Sequence, residues 1–306
     1  MTTALDLITT PVAVLNATAL ATRAGISGDD PLCERMVGER FRVFLSLFSP
    51  DGIFAERIEL DPVGPGERRM LDLSVLMRER YGDRNALAVV HRVPFSLCPH
   101  GIDPQTVEMA PSGEDFDLLR VMVEYGFPGG GKGAVIYETP PGINGPRRSA
   151  QSALILSSKI AISRGQNTTM LLINMSESPA YRESVTVRAR LFASDGRAVT
   201  AREATVAPFS FAMISLRDWI AQAGDVITEE IATFSVVAWS RQGALIPLFL
   251  QTHEELRSVS IEHSNPPQVY VLPMTQAERF RIKNEAVAAW DKTWDQAAGK
   301  TWAKSA

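Results

Sequence analysis

Four short blocks of this sequence recur in the same order, and this repetition constrains the possible folds more than any other feature. The pairs are SLFSPDG (46–52) with RLFASDG (190–196), PGERRMLDLSVLM from Pro65 with PFSFAMISLRDWI from Pro208, ALAVVHR (86–92) with TFSVVAW (233–239), and VEYGFP (123–128) with IEHSNP (261–266). The two members of a pair are separated by 138 to 147 residues. We therefore predict one structural unit that occurs twice, although two unrelated β-sandwich domains would share part of this turn and strand pattern.

The second copy shows the secondary structure of the unit most clearly. Residues 169–175 form a short apolar run that is typical of a buried strand. Residues 184–192 alternate apolar with polar side chains, which predicts a strand with one buried and one solvated face. Gly196 closes a Ser-Asp-Gly turn, and Ser215 with Asp218 indicates the N-terminal cap of a short helix.

Two apolar runs, 232–240 and 243–252, flank Arg241 and Gln242 and predict a β-hairpin, after which SVSIEH (258–263) is the last strand. Short strands separated by turns predict a mainly β protein. We expect two tandem, internally duplicated antiparallel β-sandwich domains, either Ig-like or open-barrel, with short helices and a C-terminal α-helix. Because duplicated domains often bury a shared face, we expect the copies to pack about a pseudo-twofold axis.

The predicted boundaries follow from proline and glycine. ETPPGINGPRR (138–148) disfavours both helix and central strand and is the predicted linker. The first β-sandwich copy then covers 1–145, the second covers 146–273, and a C-terminal helix and tail cover 274–306. Two first-copy loops, 99–115 and 127–133, carry most of the difference between the copies, and such loops are expected to be functional or mobile.

The C-terminal segment changes from strand to helix periodicity. Thr275 and Glu278 form an N-terminal capping pattern, and the apolar residues that follow recur at helical spacing. Trp290 and Trp294 fall on or near one face of this helix. They either pack back on one sandwich or form a contact with a protein partner or a second copy, since tryptophan is enriched at interface anchors.

Composition excludes several classes of protein. The chain has 31 Lys and Arg against 35 Asp and Glu, so it lacks the basic excess of a general nucleic-acid binder. Two cysteines in 306 residues exclude a disulfide scaffold. We expect no membrane span, because the sequence holds no run of about 20 apolar residues. The start of the chain has no basic cluster before an apolar stretch, so we expect no export and a cytoplasmic location.

A glycine-rich segment, GFPGGGK (126–132), imitates a phosphate-binding loop. The full pattern needs Ser or Thr after the lysine and a helix after that, whereas Gly133 follows Lys132 and AVIYETP reads as a strand. The segment is therefore predicted to be a hairpin connection. A looser anion site on Lys132 and the glycine amides is the alternative.

The four histidines supply the other candidate groups. His91 and His100 come close in sequence to Cys98, but the paired spacing of a zinc site is missing, so we expect no metal and no cofactor. We interpret His91 as a residue at the solvated end of its strand. His263, preceded by Glu262, is aligned by the repeat with Tyr125. If one copy carries an active site, His263 is the best general base, with Glu262 beside it.

These observations leave two functions of different classes. The first is a non-catalytic binding or assembly protein that holds a ligand or partner on the first-copy loops or in the inter-domain cleft, where His91, His100, Tyr125 and Lys132 are the candidate ligand-binding residues. The second is an enzyme that acts on a small or apolar substrate, with a histidine general base in a β-sandwich cavity. Neither a nucleophile elbow nor a dinucleotide-binding motif occurs in the sequence, so the first function is favoured.

Overall fold

The protein is mainly β. The computed structural model describes residues 5–6, 8–28, 38–95, 109–110, 121–131, 133–136, 152–175, 181–222, 231–243, 245–263 and 276–301. These residues form antiparallel sheets and three described helices, as the sequence predicts. No helix of this part of the chain is both long enough and apolar enough to cross a membrane.

The first half forms two four-stranded sheets. Its elements are β2 (Ile8–Val14), β3 (Ala21–Ser27), β4 (Phe41–Phe48), β5 (Phe54–Val63), β6 (Arg68–Asp72), α1 (Leu73–Tyr81), β7 (Ala86–Pro94), β9 (Met122–Gly126) and β10 (Ala134–Ile136). Sheet A has the strand order β10-β9-β3-β6, and sheet B has the order β2-β7-β4-β5. A separate parallel pair joins β1 (Leu5–Asp6) to β8 (Met109–Ala110).

The second half repeats this arrangement. Its elements are β11 (Ala153–Ser163), β12 (Gln166–Asn174), β13 (Val185–Ala193), β14 (Ala198–Val206), β15 (Ser210–Ser215), α2 (Leu216–Gln222), β16 (Ile231–Ser240), β17 (Ile246–His253) and β18 (Ser258–His263). Sheet C has the order β15-β12-β17-β18, and sheet D has the order β11-β16-β13-β14. Counted along each half, sheet C corresponds to sheet A, and sheet D corresponds to sheet B.

This correspondence places three of the four repeated blocks on equivalent elements. Residues 46–52 end β4 and residues 190–196 end β13, which hold the same position in sheets B and D. Helices α1 and α2 both begin at the leucines that the blocks align, Leu73 and Leu216. The side chain of Asp72 accepts a hydrogen bond from Val75 N at the start of α1.

The caps and turns predicted in the second half are also present. Ser215 Oγ accepts a hydrogen bond from Asp218 N, 3.3 Å away, and so caps α2. Gly196 has a φ of +83°, and its turn is closed by a bond from Ala193 N to Arg197 O. A left-handed residue is what a tight connection of this kind requires, and glycine adopts that conformation without strain.

Two expectations about pairing are wrong. The fourth block aligned Tyr125 with His263, but Tyr125 lies in β9, which corresponds to β17, whereas His263 lies in β18. The apolar runs around Arg241 and Gln242 do not form a hairpin, because β16 belongs to sheet D and β17 to sheet C. An apolar run identifies a buried strand but does not specify which neighbour it hydrogen-bonds.

Two hydrophobic cores connect the four sheets. Strands β4 and β7 of sheet B are buried along their whole length, as strands covered on both faces must be. One continuous core joins sheet B to sheet A and to one face of sheet C, through residues such as Val123, Leu171 and Leu248. The opposite face of sheet C, which includes Met170 and Leu172, packs against sheet D in a second core.

Both sheets of the first half contact sheet C of the second. Strand β7 of sheet B lies against β15, and strands β9 and β10 of sheet A lie against β18. The pseudo-twofold packing of the two halves stays a prediction. The predicted boundaries at 145/146 and 273/274 lie outside the described residues.

The last helix, α3 (Gln276–Thr301), covers the outer face of sheet D. Val287 packs with Leu154 and Trp239, and Ser152 Oγ bonds Asn284 Oδ1 at 2.5 Å. The polar face predicted to be solvated on β13 thus lies partly under a helix. Its arginines, Arg188 and Arg190, contact α3 directly.

Candidate functional sites

A buried polar chain crosses sheet B. His91 Nε2 lies 3.0 Å from Ser46 Oγ, and Arg57 Nε donates to the same oxygen at 3.0 Å. His91 is paired with Phe44 across the sheet, and side chains alternate between faces, so Phe44, Ser46 and Phe48 share one face of β4. Phe48, at the far end of this face, contacts Phe209 of the second half.

His91 is not at a solvated strand end, contrary to the expectation. It is 2% exposed, because β7 is buried to its last residue. Burial lowers the pKa of His91 to about 3, and the positive charge of Arg57 acts in the same direction. The ring is therefore neutral at pH 7. A serine and a neutral histidine at this distance have the geometry of a nucleophile and its base, but burial separates them from solvent.

Tyr125 is also buried. Its side chain is 1% exposed and lies in the core between sheets A and B. Burial raises the pKa of the Tyr125 hydroxyl, and a hydrogen bond with the backbone of Ala13 acts in the opposite direction. A ligand has no access to this ring in the structure.

Of the remaining predicted residues, the structure describes the side chain of Glu262 and the backbone of His263. Glu262 is exposed on β18, and His263 is the last residue of the same strand, paired with Leu248. Successive strand residues point to opposite faces, so this pair cannot act on one atom together. His100 and Lys132 lie outside the described residues, as does the side chain of His263.

The glycine-rich loop joins the two halves. Arg257, in the turn between β17 and β18, donates to the carbonyl oxygens of Pro128 and Gly130, and its guanidinium lies 5.3 Å from the centre of the Phe127 ring. A Cβ atom on Gly131 would lie 2.2 Å from Arg257 O. Glycine at position 131 therefore allows the backbones of the two halves to come close together at this contact.

Asp291 forms the polar centre of the contact between α3 and sheet D. It is 3% exposed and accepts hydrogen bonds from Trp239 Nε1 at 2.8 Å, from Arg188 at 3.0 Å, and from Arg241. Burial opposes the charge, but the hydrogen bonds from Arg241, Trp239 and Arg188 outweigh it, and the pKa of Asp291 lies below its usual value.

Trp290 and Trp294 surround an arginine of sheet D. Their ring centres lie 5.5 and 5.7 Å from that of Trp239, and the Arg190 guanidinium lies within 5.9 Å of all three rings. Cation–π attraction accounts for this arrangement, and burial lowers the pKa of Arg190. Both helical tryptophans are half-buried. Sheet D therefore covers part of the tryptophan surface that was predicted to contact a protein partner.

Three of the pockets on the described surface have no histidine among their lining residues. The pocket between the halves has a volume of about 130 Å³ and is lined by Asn85, Met213 and their neighbours. A second, of about 240 Å³, lies beside Asp291 and Arg241. The third has about 500 Å³ and lies at one end of the first sandwich. Within the described residues, no group of three or more His, Cys, Asp and Glu side chains is arranged to hold a metal ion.

Arginines dominate the third pocket, which sequence reasoning missed. It is lined by Arg40, Asp61, Pro62, Val63, Glu67, Arg68 and Arg69. Its residues come from the segment before β4, the end of β5 and the start of β6, which are distant in sequence. Arg68-Arg69 was the one visible signal, and the topology adds Arg40 to it.

Comparisons with known proteins give only weak likenesses. No protein-family model matches the sequence, and no curated protein matches it. Thermotoga maritima 1070 is 12% identical over 40% of this chain and 96% of its own, with a TM-score of 0.28. A β-glucuronidase from glycoside hydrolase family 2 is 11% identical over 84% of this chain and 23% of its own, with a TM-score of 0.19.

The Amycolatopsis orientalis exo-chitosanase CsxA is 12% identical over 84% of this chain and 25% of its own, with a TM-score of 0.22. The chain thus spans about a quarter of the length of these two glycosidases. At such TM-scores the likenesses carry no argument about activity.

Proposed function

We propose that the chain is a non-catalytic binding or assembly protein of the cytoplasm. The observation that carries this proposal is the filled junction between the halves. Sheets B and C share one apolar core there, and the described pocket at the junction has only about 130 Å³. Ligand pockets for small molecules usually measure about 300 to 1,000 Å³. The two sandwiches form the scaffold, and the proposed binding sites are the outer surfaces and loops of the first half.

The arrangement of the histidines also favours binding over catalysis. The pKa of His91 lies near 3, so the residue is a poor proton acceptor at neutral pH, and its side chain is almost completely buried. The enzyme alternative keeps one observation in its favour, the 3.0 Å distance between Ser46 Oγ and His91 Nε2. It also keeps His263, whose role as a general base stays a prediction.

An assembly contact through Trp290 and Trp294 belongs to the same proposal. Such a contact would use only the part of each ring that sheet D leaves exposed. The first-half loops 99–115 and 127–133 are the other proposed contact regions, and the latter already holds Arg257 of the second half.

Native mass spectrometry of the chain purified from its own host tests the proposal. We expect a retained small ligand or protein partner. When that ligand is added back, we expect it to stay chemically unchanged with the wild type and with a His91→Gln, His263→Gln double variant. A bare chain mass would refute binding. Conversion of the ligand by the wild type but not by the double variant would establish the enzyme alternative.

A further inference from the structure

The pocket at the end of the first sandwich has fixed walls. The turn between β5 and β6 is closed by hydrogen bonds from Glu67 N to Gly64 O and from Gly64 N to Glu67 Oε2, at 3.0 and 2.8 Å. Gly28 N donates to Glu67 O at 2.9 Å, and a Cβ atom on Gly28 would lie 1.8 Å from Gly64 O. The end of β3 therefore lies in close contact with this turn. Hydrogen bonds fix the backbone of the turn, which forms one wall of the pocket.

The acidic groups of this pocket are already engaged. Glu67 directs Oε2 to the backbone of Gly64. Arg69 donates to Asp61 O at 2.6 Å, and its guanidinium lies 4.0 Å from the Asp61 carboxylate, which is 93% exposed. An ion pair so open to water is weak, so the Asp61 carboxylate offsets only part of the positive field of the arginines.

Two guanidinium groups remain for a ligand. Among the described residues, neither Arg40 nor Arg68 forms an ion pair, and both side chains are exposed at the pocket. Arg40 rests against the Phe95 ring, 5.6 Å from its centre, which limits the directions it can take. Arginine presents a planar fork of N–H donors that matches the oxygens of phosphate and carboxylate groups.

We infer that this pocket binds an oxyanion, a phosphate or carboxylate group of a small molecule, between Arg40 and Arg68. The inference rests on the proposed binding function and gives it a ligand class. The volume of about 500 Å³ exceeds what one oxyanion needs, so the rest of the ligand lies against Pro62 and the buried Val63. Arg69 strengthens the positive field without a direct role.

Isothermal titration of the full chain with pyrophosphate and with citrate at low salt tests the site. We expect binding of at least one probe, and the better probe identifies the phosphate or the carboxylate source. Arg40→Gln and Arg68→Gln should each raise Kd about tenfold or more, because each removes a charge-assisted hydrogen bond. Arg84→Gln is the matched control, since Arg84 is an exposed arginine paired with Asp51 at the other end of β4.

A variant of opposite sign completes the test. Asp61→Asn removes the negative charge beside Arg69, so it should lower Kd by a few-fold. Each variant changes a surface side chain, and unchanged thermal unfolding midpoints would show that the fold is intact. Absence of binding to both probes, or equal affinities in Arg40→Gln, Arg68→Gln and Arg84→Gln, would overturn the site. A chain that retains a partner in native mass spectrometry but binds neither probe would refute this pocket and leave the proposed function standing.

Discussion

The ring of Phe48 stacks flat on the ring of Phe209, with centroids 4.6 Å apart and planes inclined by 6°. Phe48 ends a strand of the first half, whereas Phe209 precedes β15 in the second half. Tyr181 meets Phe209 edge-on at 6.0 Å, and a Cβ atom on Gly52 would lie 2.1 Å from Pro208 O. The two halves are therefore in direct van der Waals contact at this point.

Phe209→Ala should destabilise the chain by about 3 to 5 kcal/mol, because it removes a buried aromatic ring from the junction. Urea unfolding followed by fluorescence and by circular dichroism measures the change. Wild type should unfold in one transition by both probes, because sheets A, B and C share one core that unfolding of either half would expose. Ile53→Ala, at a side chain that is 67% exposed, should change stability by less than about 0.5 kcal/mol. Equal effects of the two substitutions would contradict the role of the stacked pair.

Gly131→Ala should destabilise the protein more than Gly130→Ala. Both glycines have a φ of +117°, so both substitutions carry a backbone cost of about 1 to 3 kcal/mol. Only Gly131 directs its added Cβ at Arg257 O, whereas nothing lies within 4 Å of a Cβ on Gly130. Chemical denaturation gives the difference between the two variants. If Gly130→Ala proves equally costly, the loop is not held by close approach to the second half.

Stability should fall as pH drops from about 6.5 towards 3, and His91 should cause part of the fall. The folded-state pKa of about 3 lies below the 6.5 of a solvated histidine, so between these pH values the unfolded chain binds a proton that the folded chain does not. Stability therefore rises with pH across this window, at up to about 1.4 kcal/mol per pH unit.

Urea titrations of wild type and His91→Gln at pH 7, 6 and 5 isolate this contribution, because the carboxylates are common to both. The pH slope should be shallower in His91→Gln. A His91→Gln slope identical to that of wild type would show that folding does not change the pKa of His91.

Asp291→Asn should loosen α3 from sheet D. Removing the charge leaves Arg188 and Arg241 without their buried partner. Breaking a buried ion pair costs about 3 to 5 kcal/mol. We expect the lower value here, because both arginines reach solvent. Faster hydrogen exchange of 281–294 and a red-shifted tryptophan emission would report the change. Glu285→Gln, in an exposed pair with Arg281 on the same helix, should have little effect.

The local structure of this chain was predictable because it follows from neighbours in sequence. Alternation of Val185, Val187, Ala189 and Leu191 indicated β13, and the Ser215 cap indicated α2, where the structure has them. The three repeated blocks that lie on equivalent elements were also recognisable, because each combines a turn residue with an apolar strand.

The long-range structure was not predictable from these patterns. His91 ends an apolar run, and the same run would fit a strand with a solvated end or one that is buried throughout. Burial of that end depends on tertiary packing, which the local sequence does not show. The Glu-aromatic-x-x-Pro pattern around Tyr125 and the Glu-His-x-x-Pro pattern around His263 fit different strands of a sandwich, since strand ends share the same turn residues. The arginine pocket draws Arg40 and Arg68 from separate strands, a proximity that exists only after folding.

Sheet B is buried on both faces, and part of the core that covers it comes from β12 and β17, which begin more than seventy residues after its last strand. A ribosome adds about 5 to 20 residues per second, so the nascent first half spends on the order of ten seconds with Phe48, Val89 and their neighbours open to other chains. We therefore expect the nascent chain to need molecular chaperones most when about half of it has been translated. A messenger RNA truncated between the two halves should yield a fragment that aggregates.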